Sequence, residues 1–457
     1  MSVRVRIAPS PTGFAHLGTA STALYNVLFA RQQGGPFVLR VDDTDAERNR
    51  PEYEALIYES LRWLGLDWDE GPDKGGPYQP YRQSERLDLY REEAARLIKE
   101  GKAYRCYCTP EELEAERKQA QLEKRAYRYS RRCLTDPPSD RSVFAVRFKV
   151  PGGEIHFVDM VRGEMKFDAD LIGDFIIMKS DGFPTYQFAS PVDDAVMKIT
   201  HVIRGEEHLS NTPYQLMLVD ALGYERPQAY AHMPLILAPD GTKMSKRKHP
   251  EMNLALYREQ GYLPEALLNY LALLGWNPGT SQEIFTFEEL VRAFSFDRVQ
   301  HAGARFDWEK LNWIDGEYIR RLSEDELAER LRPLVPKLDE ETIRRAAPAL
   351  KTRMHKLAQA VDYLDYLWTD PPPPSLDEET ASRVRNAIEA LNDVAWEPET
   401  IEAALEKAVA ESGVGKGKFY TPLRDIVTGK KVSLPIHYTL ALLPREVALL
   451  RLQRAVD

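Results

Sequence analysis

The sequence predicts an α/β protein: an N-terminal half built on a parallel sheet and interrupted by an inserted α+β domain, then an all-α C-terminal half. Three observations carry this. Alternating runs at Val3 to Ile7 and Phe37 to Val41 trade places with helix-patterned stretches at Ala20 to Arg31 and Pro51 to Trp63, the strand–helix rhythm of a parallel sheet. A charged helical segment and short strands such as Val143 to Val150 interrupt that rhythm, and the parent sheet is expected to resume near Pro184 to Gln187. Beyond Lys248 strand signals fade, and capping-box patterns at Ser323 to Glu326 and Ser375 to Glu378 open apolar runs at helical spacing.

A chain of 457 residues exceeds what one hydrophobic core serves, and 43% hydrophobic content suffices for several cores. The expected divisions are 1–80 and 186–250 for the two halves of the sheet domain, 81–185 for the insertion, and 251–310, 311–370 and 371–457 for helical parts. The run Pro371 to Pro374 reads as a stiff connector between the last two. No apolar run approaches a membrane span, and the chain enters a strand without a charged-then-apolar leader, so no membrane and a cytoplasmic location are expected. Three cysteines are too few and too clustered for a disulfide scaffold. A net charge of −10 argues against an indiscriminate nucleic-acid binder, so any RNA must meet local basic patches.

The first strand leaves through Arg6 to Thr19, where Pro9 and Pro11 stiffen the exit, and Gly13 and Gly18 let a ligand approach the backbone. Thr19 or Ser21 is expected to cap the following helix, whose N-terminus attracts phosphate, with His16 where phosphates would lie. The second strand delivers Asp42, Asp43 and Asp45 at its C-terminal end, where open α/β sheets place ligands. Gln83 to Arg86 opens an amphipathic helix to Lys99, Val202 to Arg204 forms a strand, and Asn211-Thr-Pro213 starts a helix with proline in its first turn. After the turn Pro239-Asp240-Gly241, the segment Lys243-Met-Ser-Lys246-Arg247 brings three cations within five residues, a loop able to fold onto a polyphosphate.

The pairing of His16-Leu-Gly18-Thr with Lys243-Met-Ser-Lys246-Arg247 resembles the two signature motifs of class I aminoacyl-tRNA synthetases, which have a Rossmann-type catalytic domain. Arg6-Ile-Ala8-Pro-Ser10-Pro-Thr-Gly13 resembles the bacterial-type glutamyl branch. Further matches at Phe37 to Asp45, Leu61 to Leu66, Tyr81 to Arg86 and Val202 to Glu207 make the likeness close to full-length. It implies activation of L-glutamate by ATP with Mg2+ and transfer to the 2′-hydroxyl of the terminal adenosine of tRNA(Glu), by a monomer. In that scheme His16 and Gly18 meet the ATP, Glu207 the ribose and the backbone of Leu235 and Ile236 the adenine, while Lys246, with Lys243 and Arg247, stabilises the transition state.

Glutamate brings a carboxylate that a desolvated pocket accepts only with a bidentate partner, which makes Arg6 and Arg204 the candidates. The resemblance adds Ala8, Ser10 and Tyr186 to the amino-acid site and assigns the α-amino group to Asp42. Here Asp42 replaces the family's usual glutamate, Ser190 its frequent asparagine, and His208 an aromatic residue. For tRNA, Arg82 and Arg86 suit the acceptor end; Arg344, Arg345, Lys351, Arg353 and Lys356 cluster on C-terminal helices suited to anticodon bases, and Lys416, Lys418, Lys430 and Lys431 add a basic loop.

Cys106-Tyr-Cys108 with Tyr129 and Cys133 offers either a tetrahedral zinc site completed by a phenol or a group of buried reduced cysteines. Some bacterial glutamyl enzymes and a truncated paralogue carry zinc in this insertion; the histidine used as fourth ligand in the former is Thr135 here. Rival functions are a relaxed enzyme that also charges tRNA(Gln), a glutaminyl enzyme, and a small-molecule adenylyltransferase. The last has no need of the helical extension.

Overall fold

The computed structural model describes residues 2–45, 47–244, 248–249 and 252–457. The chain divides into two compact units, Met1–Leu256 with Leu268–Asp307, and Tyr257–Leu267 with Trp308–Asp457.

In the first unit β1 (Val5–Ile7) and β2 (Phe37–Leu39) pair in parallel, Val5 opposite Phe37. Between them α1 (Leu17–Gln33) makes the crossover and stops at Gly34, whose φ of 65° is the left-handed cap that glycine adopts without strain. The sequence expectation placed its start three residues late. His16, not Thr19 or Ser21, is the N-cap, its side chain accepting from the Thr19 N–H. Next, α2 (Pro51–Trp63) begins on a proline already fixed at helical φ, with Glu52 and Glu54 facing the positive end of the helix.

The insertion opens with a short 3-10 turn, Gln83–Arg86, continued by α3 (Leu87–Lys99). It then builds an antiparallel sheet from β3 (Ala103–Cys106), β4 (Ala145–Phe148) and, beyond a hairpin, a strand at Phe175–Met178. The hairpin, β5 (Glu154–Asp159) and β6 (Gly163–Asp168), belongs to another sheet. There β7 remains the Phe175–Met178 strand, and β5 runs parallel to β9 (Ala229–Met233), which pairs in parallel with β8 (His201–Gly205). The carbonyl of Arg4 accepts from the N–H groups of Thr200 and His201, so β1 abuts β8. The parent fold re-enters with a helix, Tyr186–Val196, rather than a strand. One strand, Ala304–Arg305, which pairs in parallel with Ile236–Leu237, lies beyond the point where strand signals fade.

The second unit is helical. Ser323 and Glu326 form the expected capping box, whereas the helix Glu378–Leu391 is capped by Asp377 accepting from Thr380 and not by Ser375. Its terminal core gathers Tyr366, Val384, Leu391, Ile401, Leu405 and Phe419, residues at helical spacing on successive helices. Asp315 is fully buried on helix Trp308–Arg321; one carboxylate oxygen accepts from the Leu263 N–H at 2.9 Å, and the other has no partner among the described residues.

Burial pushes the Asp315 carboxyl well above its ordinary range, against the opposing Leu263 hydrogen bond. An acid whose pKa is raised by folding binds more protons folded than unfolded, so its contribution turns unfavourable as pH rises above the unfolded value. Asp315→Asn keeps the acceptor and removes the charge. By calorimetry it is expected to raise the melting temperature by about 2–4 °C at pH 8 and to have no such effect at pH 4; equal shifts at both pH values would contradict this.

Candidate active site

A cavity of about 800 Å3 lies at the C-terminal ends of β1, β2 and β8, the edge of an open α/β sheet where ligands bind. It is lined by Arg6, Ala8 and Ser10 after β1, by His16 and Gly18 at the start of α1, and by Asp42 after β2. Tyr186 and Ser190 come from the helix Tyr186–Val196, and Arg204, Glu207 and His208 from the end of β8. Ten residues drawn from the sequence as binding groups thus meet in one place. Leu235, Ile236 and Lys243 are not among its lining residues, and Lys246 and Arg247 lie outside the described residues. The backbone of Leu235 is occupied, its N–H donating to Glu206 and its carbonyl accepting from Ala304.

His16 is held by its own helix. Its Nδ1 accepts from the Thr19 N–H at 3.2 Å, and a Cβ on Gly18 would stand 3.0 Å from that nitrogen. Glycine at 18 therefore gives the imidazole room. Similarly, a Cβ on Gly205 would sit 2.2 Å from Glu207 Oε2, so Gly205 lets the Glu207 carboxylate fold back against the backbone.

Beneath the cavity lies a buried charge network. Asp194 takes Arg6 side-on, Nε at 3.1 Å and Nη2 at 3.2 Å, and also takes Arg40 Nη1 at 2.6 Å. Arg40 is completely buried and grips both Asp42 oxygens, at 2.7 and 3.3 Å, as well as the Ser190 hydroxyl. Buried charges persist only when paired in this way. The two guanidinium groups, despite burial, hold Asp194 below the ordinary carboxylate range. Asp42 is raised to about 6 by burial, which outweighs Arg40. Its shorter side chain is thus fixed directly by Arg40.

Arginine carries five N–H donors. Those of Arg204 all have acceptors: His232 Nε2, Tyr186 Oη, Gln215 Oε1, the His208 carbonyl and Thr212 Oγ1. Arg6 differs. Nε and one Nη2 proton go to Asp194 and one Nη1 proton goes to the Ile203 carbonyl at 3.4 Å, which leaves one donor on each terminal nitrogen without a partner among the described residues. His208 is pushed down to about 4, by burial first and then by the charges of Arg204, Arg6 and Lys243. At neutral pH it is an uncharged wall in a positive field.

Elsewhere the structure corrects one expectation. Arg86 does not face an RNA surface: it is buried, donating to Asp193 at 2.7 Å and to the carbonyls of Tyr78 and Pro80. Its place at the start of an amphipathic helix concealed this, because the partner lies over a hundred residues away. Arg82 is half-buried against Glu54 and Glu85. Arg344 is tied to Asp325, Glu340 and Glu341, and Arg345 to the Ala441 carbonyl. No ion pair engages Lys351 or Arg353 among the described residues. Sequence reasoning missed Arg40, Asp194 and His232. The available signal was charge inside apolar patterns, Arg40 within Phe37 to Val41 and Asp193-Asp194 within an otherwise apolar helix.

Residues 2–313 match the family model "tRNA synthetases class I (E and Q), catalytic domain", and residues 326–456 match "Anticodon binding domain". A glutamate–tRNA ligase of Acidothermus cellulolyticus is 45% identical, with 100% of this chain and 95% of the relative covered. One from Symbiobacterium thermophilum is 44% identical over 99% of each chain. The crystal structure of a glutamate tRNA ligase from Elizabethkingia meningosepticum in complex with its amino acid superposes with a TM-score of 0.88 at 33% identity, covering 100% of this chain and 99% of that one. With its cavity at the strand ends, its catalytic half matched throughout and its helical half matched to an anticodon-binding domain, the chain belongs to the glutamate–tRNA ligase family of class I tRNA synthetases.

Proposed function

We propose that the chain activates glutamate with ATP and esterifies it to the 3′-terminal adenosine of tRNA(Glu), and that Arg6 fixes the choice of amino acid. An α-carboxylate oxygen attacks the α-phosphorus, pyrophosphate leaves, and a ribose hydroxyl then attacks the acyl carbon and expels AMP. No nucleophilic side chain is required; positioning and cations supply most of the rate. The family uses ATP as its magnesium complex.

The remaining donors of Arg6 carry the proposal. Pairing to Asp194 and Ile203 leaves one N–H on each terminal nitrogen of a residue that lines the cavity, two donors that a carboxylate can accept bidentately. Arg204, with every donor committed, acts through Tyr186: its Nη1 donates to the phenolic oxygen at 3.2 Å, so the phenolic proton is directed to the substrate carboxylate. Asp42 then anchors the α-ammonium group, with Ala8, Ser10 and Ser190 completing the wall. His16 and Gly18 meet the phosphates and Glu207 the ribose; of the Leu235-Ile236 backbone, Ile236 meets the adenine, since both groups of Leu235 are engaged, while Lys243, Lys246 and Arg247 neutralise the departing pyrophosphate. For tRNA, Lys351 and Arg353 are the anticodon-side contacts, supported by their lack of ion-pair partners among the described residues, and Arg82 the acceptor-side one.

The three cysteine sulfurs lie within 4.8 Å of one another, with Cys108 Sγ 3.5 Å from Cys133 Sγ and 3.1 Å from the Tyr129 hydroxyl. Tetrahedral zinc with bonds near 2.3 Å separates its sulfur ligands by about 3.8 Å, so Cys106, Cys108, Cys133 and Tyr129 fit that ion. Bound there, zinc would brace the inserted sheet. Three free thiols suit a reducing cytoplasm, and a monomer is what the family resemblance implies.

ATP–pyrophosphate exchange and aminoacylation, measured with glutamate or glutamine and with tRNA(Glu), tRNA(Gln) or neither, test the function. Glutamate with tRNA(Glu) is expected to react; charging of tRNA(Gln) would show relaxed specificity, and exchange indifferent to RNA a small-molecule enzyme. Arg6→Lys keeps the charge and loses the fork, so KM for glutamate is expected to rise about 100-fold with a smaller change in kcat. Because Asp42 is ionised only above about 6, glutamate affinity is expected to fall as pH drops through that value, and a pH-independent KM between pH 5 and 8 would refute its role. Metal analysis of tag-free protein is expected to find one zinc per chain, and a content well below that excludes the site.

A further inference from the structure

We infer that Asp159 and His232, neither of which lines the cavity, are positioning residues that hold Arg204 and, through it, the Tyr186 hydroxyl in register for glutamate. The inference rests on the glutamate site proposed above and deepens it.

Arg204 Nε donates to His232 Nε2 at 3.2 Å. A guanidinium only donates, so Nε2 must carry a lone pair and the imidazole proton must reside on Nδ1. Asp159 fixes that tautomer, its Oδ2 standing 2.6 Å from His232 Nδ1. All three residues are buried, at 1%, 0% and 4% exposure for Asp159, His232 and Arg204. Burial keeps the imidazole neutral, against the opposing pull of the Asp159 hydrogen bond. A charged imidazolium would present a second N–H to a permanent cation and break the contact.

Asp159 is itself held. Its Oδ1 accepts from the N–H groups of Val161 and Arg162 at 3.0 Å each, clamping the turn between β5 and β6, and it lies opposite Tyr230 where β5 meets β9. Thr212 Oγ1 accepts from Arg204 Nη2 at 2.8 Å and stands 3.2 Å from His232 Nε2, closing the ring around the guanidinium. The hairpin that interrupts the catalytic half therefore reaches the amino-acid pocket through one carboxylate, one imidazole and one guanidinium. The tautomer establishes the contact, and the effect on glutamate binding separates a positioning role from a structural one.

Two measurements on the full chain decide. Nitrogen-15 NMR of the imidazoles in the unmodified enzyme at pH 7 is expected to show His232 protonated on Nδ1 and bare on Nε2; an imidazolium or an Nε2–H tautomer overturns the proposal whatever the variants do. In steady-state aminoacylation, H232F, which removes the acceptor, is expected to raise KM for glutamate about tenfold with kcat and KM for ATP within about threefold, while H232Q, which restores an acceptor, recovers most of the loss. Equal rises in both KM values, or no recovery with glutamine, also overturn it. Arg6→Lys separates the two ideas: an unchanged KM for glutamate in that variant sinks the glutamate-site proposal, whereas a raised one beside an unaffected H232F sinks only this inference. Should H232F fail to fold, the tautomer decides.

Discussion

Two arginines sharing one buried carboxylate set the geometry on which the rest of the active half depends. Asp194 holds Arg6 along one edge and Arg40 at one tip, and Arg40 in turn fixes Asp42. Cations on β1 and β2 are thereby locked to a helix that follows the insertion, more than 150 residues later. The cost of burying such charges is met only by near-complete pairing; among the described residues Arg6, which lines the cavity, uses three of its five donors. On the proposed reading, specificity for a dicarboxylate comes from the donors this network leaves over.

Elements at the cavity are positioned by similarly economical means. His16 is at once the N-cap of α1 and a ligand candidate, so its imidazole is fixed by the helix whose positive end it stands beside. Gly18 and Gly205 leave room for side chains two residues away, His16 and Glu207, to lie close against the backbone. On the other wall, Arg204 gives all five donors to protein groups and becomes an immobile charge. A rigid cation costs little reorganisation when substrate arrives, which is how preorganised sites favour a developing charge pattern.

Much of this was legible in the residues. The strand–helix alternation of the first half, the helical second half, the start of α2 at Pro51 and the capping box at Ser323 all follow from local rules, because turn and cap chemistry acts over three or four residues. Local rules also explain the misses. Ser375 offers the right pattern two residues too early, and Asp377 wins because its carboxylate reaches the Thr380 N–H. The segment at Pro184 to Gln187, where the sheet was expected to resume, runs into the helix Tyr186–Val196, and the sheet itself resumes at His201–Gly205.

By itself the sequence determined the class of chemistry and the gathering of its parts: a glycine-bearing turn with His16 after the first strand, acids after the second, Arg204 after a later one. Only the tertiary structure decided which charges remain open to a ligand. Arg6, Arg86 and Arg204 are indistinguishable as letters, yet one keeps two donors without a partner among the described residues, one is buried against Asp193 and one is spent on its neighbours. The physical reason is that a guanidinium has a fixed number of donors, and their partners come from segments far apart in the chain, where no local pattern records the pairing.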